Sequence, residues 1–87
     1  MRWKEISHNH FRTEHGDFVV NLYGPASWIT EIKFKGNLLY ESWESCRCSR
    51  AAKLWATKET KWFLLDLKRQ VTEYVETQVE ARRRRVL

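Results

Sequence analysis

Hydrophobic and polar residues alternate along three stretches in the first half of the chain, and this period of two predicts β-strands. The stretches are 17–23, 28–34 and 38–43. Gly24-Pro25 and Lys35-Gly36 stand between them and favour tight turns, because proline presets φ and glycine permits positive φ. Such short connections predict a three-stranded antiparallel meander with one face open to solvent. Upstream, 3–11 predicts at most a short edge strand, since histidines interrupt its pattern.

The second half has the composition of a helix. Between residue 50 and the end there is no glycine or proline, and Ala, Leu, Lys, Glu, Arg and Gln predominate. A first helix is predicted over 49–57, with Ala52 and Trp55 facing the Trp28–Phe34 side of the sheet. Thr57 and Thr60 can each serve as an N-cap, so a break is expected there and a long helix over 60–85. Its apolar stripe recurs every three or four residues: Leu64, Leu67, Val71, Val75 and Val79.

The length of the second helix is its most informative property. About 25 residues span roughly 37 Å, which is more than a three-stranded sheet covers. Part of the helix is therefore expected to project or to find a partner. The fold class is α+β, a single domain over 1–87 whose residues 1–45 form the sheet region, followed by the two helices.

Charge is concentrated at the far end of this helix. The net charge of +5 falls to +1 without the consecutive arginines Arg82, Arg83, Arg84 and Arg85. Arginine's planar fork suits phosphate or an acidic protein groove, whereas cations at a helix C-terminus also simply complement its dipole. A second basic cluster surrounds the predicted start of the first helix, and a third lies further along the chain. The phosphate-binding candidates in these two clusters are Arg47, Arg50, Lys53, Lys68 and Arg69.

Cysteine and histidine residues predict neither metal binding nor catalysis. Cys46 and Cys48 are too close for an unstrained disulfide, which favours a reducing cytosol. With His8 and His10 they could supply four zinc ligands, but C-x-C and H-x-H are not the common spacings. The chain carries no phosphate-binding loop, dinucleotide fingerprint or zinc-protease motif, so a protein without enzymatic activity is expected, with no cofactor. The polar N-terminus and the short apolar runs predict neither a signal peptide nor a membrane span.

Five tryptophans are many for so small a core. Trp28, Trp55 and Trp3 are expected to be structural. Trp43 at the end of a strand, and Trp62 off the apolar stripe, are predicted to be partner-binding, because exposed tryptophan is a frequent interface anchor.

Residues 10–18 resemble the start of small uncharacterised phage and prophage proteins of three-stranded sheet plus helix type. The matching features are an aromatic-Arg-Thr turn, a hairpin aromatic and an Ala-Lys helix, carried here by Phe11-Arg12-Thr13, Trp28, residues 36–39 and Ala52-Lys53. The resemblance covers residues 3–58, departs at Tyr40, where a glycine is expected, and excludes the tail after Thr60. It implies a mobile-element origin. A fainter resemblance to sheet-based DNA-binding modules is poorly matched, since the corresponding face mixes Glu31 and Glu41 with Lys33.

The sequence thus predicts a phage-type protein that binds and inhibits a host protein or nucleoprotein complex in the host cytosol, with anti-defence inhibitors such as anti-CRISPR proteins as one class. Direct DNA or RNA binding by the basic helix is the alternative. A homodimer through the long helix is a third hypothesis, because the helix approximates a heptad pattern.

Overall fold

The computed structural model describes the backbone of residues 1–86 and the side chains of residues 1–83. Within them, a five-stranded antiparallel sheet precedes one long helix. The elements are β1 (Lys4–Ser7), β2 (His10–His15), β3 (Phe18–Tyr23), β4 (Trp28–Phe34), β5 (Asn37–Glu44) and α1 (Ser49–Val86). The strands are adjacent in chain order. The α+β class agrees with the sequence, but the prediction of a three-stranded meander is wrong.

The two additional strands are β1 and β2. In β2, Phe11 and Thr13 are buried while Glu14 is exposed, so the strand alternates between the two faces although it was not predicted, because only one of its residues is large and apolar. Every residue of β1 is exposed, which leaves no hydrophobic signal to detect. Asn9 has a φ of 57° and Gly16 a φ of 60°, and these left-handed residues close the two hairpins that pack β2 between β1 and β3.

The helix packs across one face of the sheet, over β3 and β4. The core joins Phe11, Leu22 and Trp28 of the sheet to Ala52 and Ala56 of α1. Alanine's small side chain lets the helix backbone approach the large rings. Trp55 and Trp3 pack against this core, and the Trp3 indole Nε1 donates a hydrogen bond of 3.1 Å to Thr57 Oγ1. The expected contact between the sheet and the first turns of the helix is therefore confirmed.

The helix has no break between 57 and 60. The Thr57 hydroxyl donates to the carbonyl of Lys53, and the Thr60 hydroxyl donates to the carbonyl of Ala56, each four residues earlier. Both threonines thus satisfy their side chains inside the helix instead of capping a new one. The two predicted helices, 49–57 and 60–85, are one continuous helix.

This continuous helix is longer than the sheet that it covers. Its 38 residues span about 57 Å, and the molecule measures 61 × 22 × 18 Å. Leu64 and Leu67 are still half-buried, but every residue from Lys68 to Arg83 is exposed. The part of α1 from Lys68 onwards, called the projecting segment below, therefore extends beyond the sheet, as its length predicted.

Candidate interaction surfaces

The projecting segment has an apolar face and an acidic face. Val71 and Tyr74 remain 55% and 66% exposed, and Val75 and Val79 continue the same side of the helix. At 100° per residue, Glu73 and the two glutamates that follow it, Glu76 and Glu80, fall on the opposite side. The segment therefore has the pattern of an amphipathic helix, but the structure provides no layer to cover its apolar face.

An open groove lies where the projecting segment leaves the sheet. It has a volume of about 710 Å³ and lies between the β2–β3 hairpin and the helix, with His15 and Phe18 on one wall and Leu64, Leu67 and Val71 on the other. Val71 belongs both to this groove and to the apolar face. The two features therefore form one continuous apolar surface.

Trp43 and Trp62, the predicted partner-binding tryptophans, are 69% and 61% exposed, but the structure does not bring them together. Trp62 lies on α1 beside a shallow groove that also contains Tyr40 and Trp55. Trp43 is paired with Ile29 in the β4–β5 register, which places it on the sheet face turned away from the helix. They belong to two different surfaces.

The predicted arginine cluster is described only in part. Arg82 and Arg83 are exposed at the end of the projecting segment. The side chains of Arg84 and Arg85 lie outside the described residues.

The five phosphate-binding candidates do not form one site. Lys53 lies over the Phe11 ring, with Nζ 4.0 Å from its centroid, and Arg69 pairs with Asp66 at 2.8 Å. Arg47 and Arg50 are exposed near the start of the helix, whereas Lys68 is exposed further along it.

Glu59 connects the helix to the β5 edge of the sheet. Its carboxylate accepts hydrogen bonds from Tyr40 Oη at 2.7 Å and from Trp55 Nε1 at 3.2 Å. Burial raises the pKa of the Tyr40 phenol, and the hydrogen bond to Glu59 raises it further. This contact orients the Tyr40 and Trp55 side chains at the helix–sheet boundary.

The two cysteines are free thiols. Cys46 is half-buried against the core, and Cys48 is exposed. Burial raises the pKa of Cys46, and the nearby charge of Glu44 adds to this effect, so its thiol is a poor nucleophile at neutral pH. Among the described side chains, no group of three or more His, Cys, Asp or Glu is placed to hold a metal ion. Nor is any described stretch of helix both long and apolar enough to cross a bilayer.

Sequence reasoning missed a polar network on the sheet face opposite the helix, called the open face below. Asn21 is only 4% exposed there. Its Oδ1 accepts from Arg12 Nε at 3.3 Å and lies 3.2 Å from His10 Nε2, and its Nδ2 donates to Glu31 Oε1 at 3.4 Å. The His10 ring also stacks on Tyr23, with centroids 4.3 Å apart. The alternation within 10–15 was the signal that could have placed His10 and Arg12 on this face.

Comparisons of the chain with protein-family models, with curated proteins and with solved structures gave no match. The interpretation of these surfaces therefore depends on their own chemistry.

Proposed function

We propose that this protein is a non-enzymatic binding protein that inserts its projecting segment into a groove of a partner protein and so modulates that protein. The observation that carries this proposal is the exposure of the whole segment from Lys68 to Arg83 despite its apolar residues. An exposed helix in water normally carries polar residues all round. Apolar residues spaced three and four apart are the anchors by which helices dock into grooves.

The charges of the segment indicate what kind of groove would fit. Glu73 and Glu76 lie behind the apolar face, and Arg82 and Arg83 follow at the tip. A complementary partner has an apolar groove for the valine side of the helix and an acidic patch where the tip arrives, whereas Glu73 and Glu76 face away from that groove. Trp62 is exposed on the same helix, but at 100° per residue it lies on the side opposite Val71, so it does not enter the same groove.

A protein groove is better supported than a nucleic acid as the partner. Duplex binding draws its affinity from clustered cations, whereas here Glu73, Glu76 and Glu80 immediately precede the basic tip. Lys53 and Arg69 are also engaged within the protein, by Phe11 and Asp66. The resemblance of residues 3–58 to phage proteins supports the proposal of a partner from a bacterial host, and inhibition of a host defence complex is the role that we propose with it.

The test is affinity capture from bacterial host extract followed by quantitative mass spectrometry. The triple variant Val71→Ser/Val75→Ser/Val79→Ser removes the apolar anchors, and Glu73→Ser/Glu76→Ser changes the opposite face as a matched control. The amount of a partner that wild type captures should fall at least about tenfold with the valine variant, which corresponds to a loss of ~1.4 kcal/mol or more in binding free energy. The control variant should capture the same amount as wild type.

Equal retention by both variants, or no specific capture, would contradict the proposal. Fluorescence anisotropy with DNA and RNA probes at two salt concentrations examines the alternative. Strong binding that falls steeply with salt would replace the protein partner by a nucleic acid.

A further inference from the structure

The charged side chains of the open face form two rows with opposite polarity. The strand registers align five residues in one row across the sheet, from cationic through neutral to acidic: Lys4, Arg12, Asn21, Glu31 and Glu41. The adjoining row on one side runs from acidic to basic, with Glu14 on β2, Val19 on β3 and Lys33 on β4. β3 is the middle strand of both rows.

These charges are incompletely compensated within one molecule. Lys4 lies directly opposite Arg12, and Glu31 lies directly opposite Glu41, and like charges in such positions are unfavourable. Neither Lys4 nor Arg12 forms an ion pair with any side chain that the structure describes. Glu31 is partly neutralised by Lys33 at 3.4 Å. A second surface on which the same charges run in the opposite order would therefore be complementary to this face.

We infer that the open face binds the open face of a second copy of this chain, around a two-fold axis that runs along β3. Such an axis places β1 over the partner's β5 and β2 over the partner's β4, while each row faces its own counterpart. Lys4 of one copy then faces the second copy's Glu41, and Arg12 faces its Glu31. In the adjoining row, Glu14 faces Lys33. Each of the six charged side chains in the two rows thus faces a side chain of opposite charge.

The uncharged positions of the face fit the same arrangement. Tyr23 meets its own equivalent across the axis, and His10 lies over the second copy's Ile29. Trp43, which is 69% exposed and donates a hydrogen bond to Glu41 Oε1 at 2.8 Å, is placed over Ser7 of the second copy. Sheets packed in this way lie ~10 Å apart and are rotated by ~30°. The long charged side chains at the margins can span the resulting offset and keep contact with water.

The size of the face predicts the strength of the association. Five strands spaced ~4.8 Å apart, with about six residues each, give a face of roughly 24 by 20 Å. The two copies together cover about 1,000 Å², which is at the lower limit for a specific interface. The dimer is therefore weak and reversible, and because ion pairs contribute to it, it dissociates at high salt.

Complementary charge reversal tests this inference by sedimentation velocity over a wide range of protein concentrations. One variant is Lys4→Glu/Lys33→Glu and the other is Glu14→Lys/Glu41→Lys. Both keep the residues Arg12, Asn21 and Glu31, although the first also removes the Lys33–Glu31 ion pair and the second removes the hydrogen bond from Trp43 to Glu41. In either variant alone, like charges meet across the axis, so the association constant should fall at least about 100-fold. In an equimolar mixture every pair is again opposite, and the dimer should return as a heterodimer.

Glu73→Lys/Glu76→Lys is the matched control, because it reverses two charges on the projecting segment. It should leave dimerisation unchanged, and circular dichroism verifies the folding of each variant. The inference is overturned if wild type stays monomeric at low salt, if the single variants dimerise normally, if mixing fails to restore the dimer, or if only the helix variant dissociates it.

Discussion

Deleting the part of the projecting segment that follows Thr72 should leave the folded domain nearly as stable as the full chain. The change is a chain that ends at Thr72, which keeps the helix over the sheet and the groove at its end. Every removed residue whose side chain is described, from Glu73 to Arg83, is exposed. Among the residues that the structure describes, the truncation removes no side chain that is buried against the sheet.

The expected magnitude follows from this exposure. Each residue added to this exposed helix is nearly neutral in free energy, because the propagation constant of ~1–1.6 for good helix formers near 0 °C falls to about 1 or below at 25 °C in a segment that contains valine and threonine. The loss should therefore stay below about 1 kcal/mol. Leu22→Ala provides the contrast, because Leu22 is fully buried against the helix, and such a truncation typically costs about 2.7–5 kcal/mol.

Equilibrium urea unfolding, followed by tryptophan fluorescence, measures both values. The truncated chain should also keep almost the same m-value, since little surface buried on folding is removed. A loss above about 2 kcal/mol, or a midpoint that depends on protein concentration only in the full chain, would refute the reasoning. It would show that the projecting segment is covered in solution, as pairing of two helices would require.

Three further outcomes concern the folded domain. Gly24→Ala should destabilise the protein by about 1–3 kcal/mol in urea unfolding, because a β-carbon there lies 2.6 Å from the Trp28 ring. Because the pKa of Tyr40 is raised in the folded state, the contribution of Tyr40 to the free energy of unfolding should be constant below pH ~10 and fall as the pH rises beyond it, as the difference between wild type and Tyr40→Phe measures; Glu59→Gln should lower that pKa in a spectrophotometric titration. Iodoacetamide should modify Cys46 more slowly in the native protein than in urea, as measured by mass spectrometry.

Two of the three predicted strands, β3 and β4, have inward residues that are mostly large and apolar, whereas β5 was predicted from its apolar composition although none of its residues is buried. Val20, Leu22 and Ile32 are almost completely buried, so apolar residues recur at every second position of β3 and β4 and are easily recognised in the sequence. β2 buries a threonine beside its single phenylalanine, and β1 buries nothing. A strand that is held by backbone pairing alone has no hydrophobic pattern in its sequence. The sheet was therefore predicted with too few strands.

The two surfaces differ in how far the sequence determines them. The projecting segment could be predicted from the length of the helix, because an uninterrupted run of helix-forming residues this long extends beyond a small sheet. The open-face rows depend on four strand registers at once. A slip of one residue in any strand transfers its side chains to the other face, and Lys4 and Arg12 align only because β1 and β2 pair as they do. Trp43 illustrates the difference, because its exposure was predicted but not the face to which it belongs.

The two proposals are physically separable, since one depends on the helix and the other on the opposite face of the sheet. Pairing through the open faces leaves both helices on the outside of the dimer, with both projecting segments accessible. A partner with two grooves would then be held bivalently, and its apparent affinity would exceed that of a single helix. The chain ending at Thr72 should still dimerise but capture no partner, whereas Lys4→Glu/Lys33→Glu should capture a partner as a monomer and release it faster. If every variant that lost dimerisation also lost partner capture, a single surface would mediate both interactions, and the helix would then be the stronger candidate for that surface.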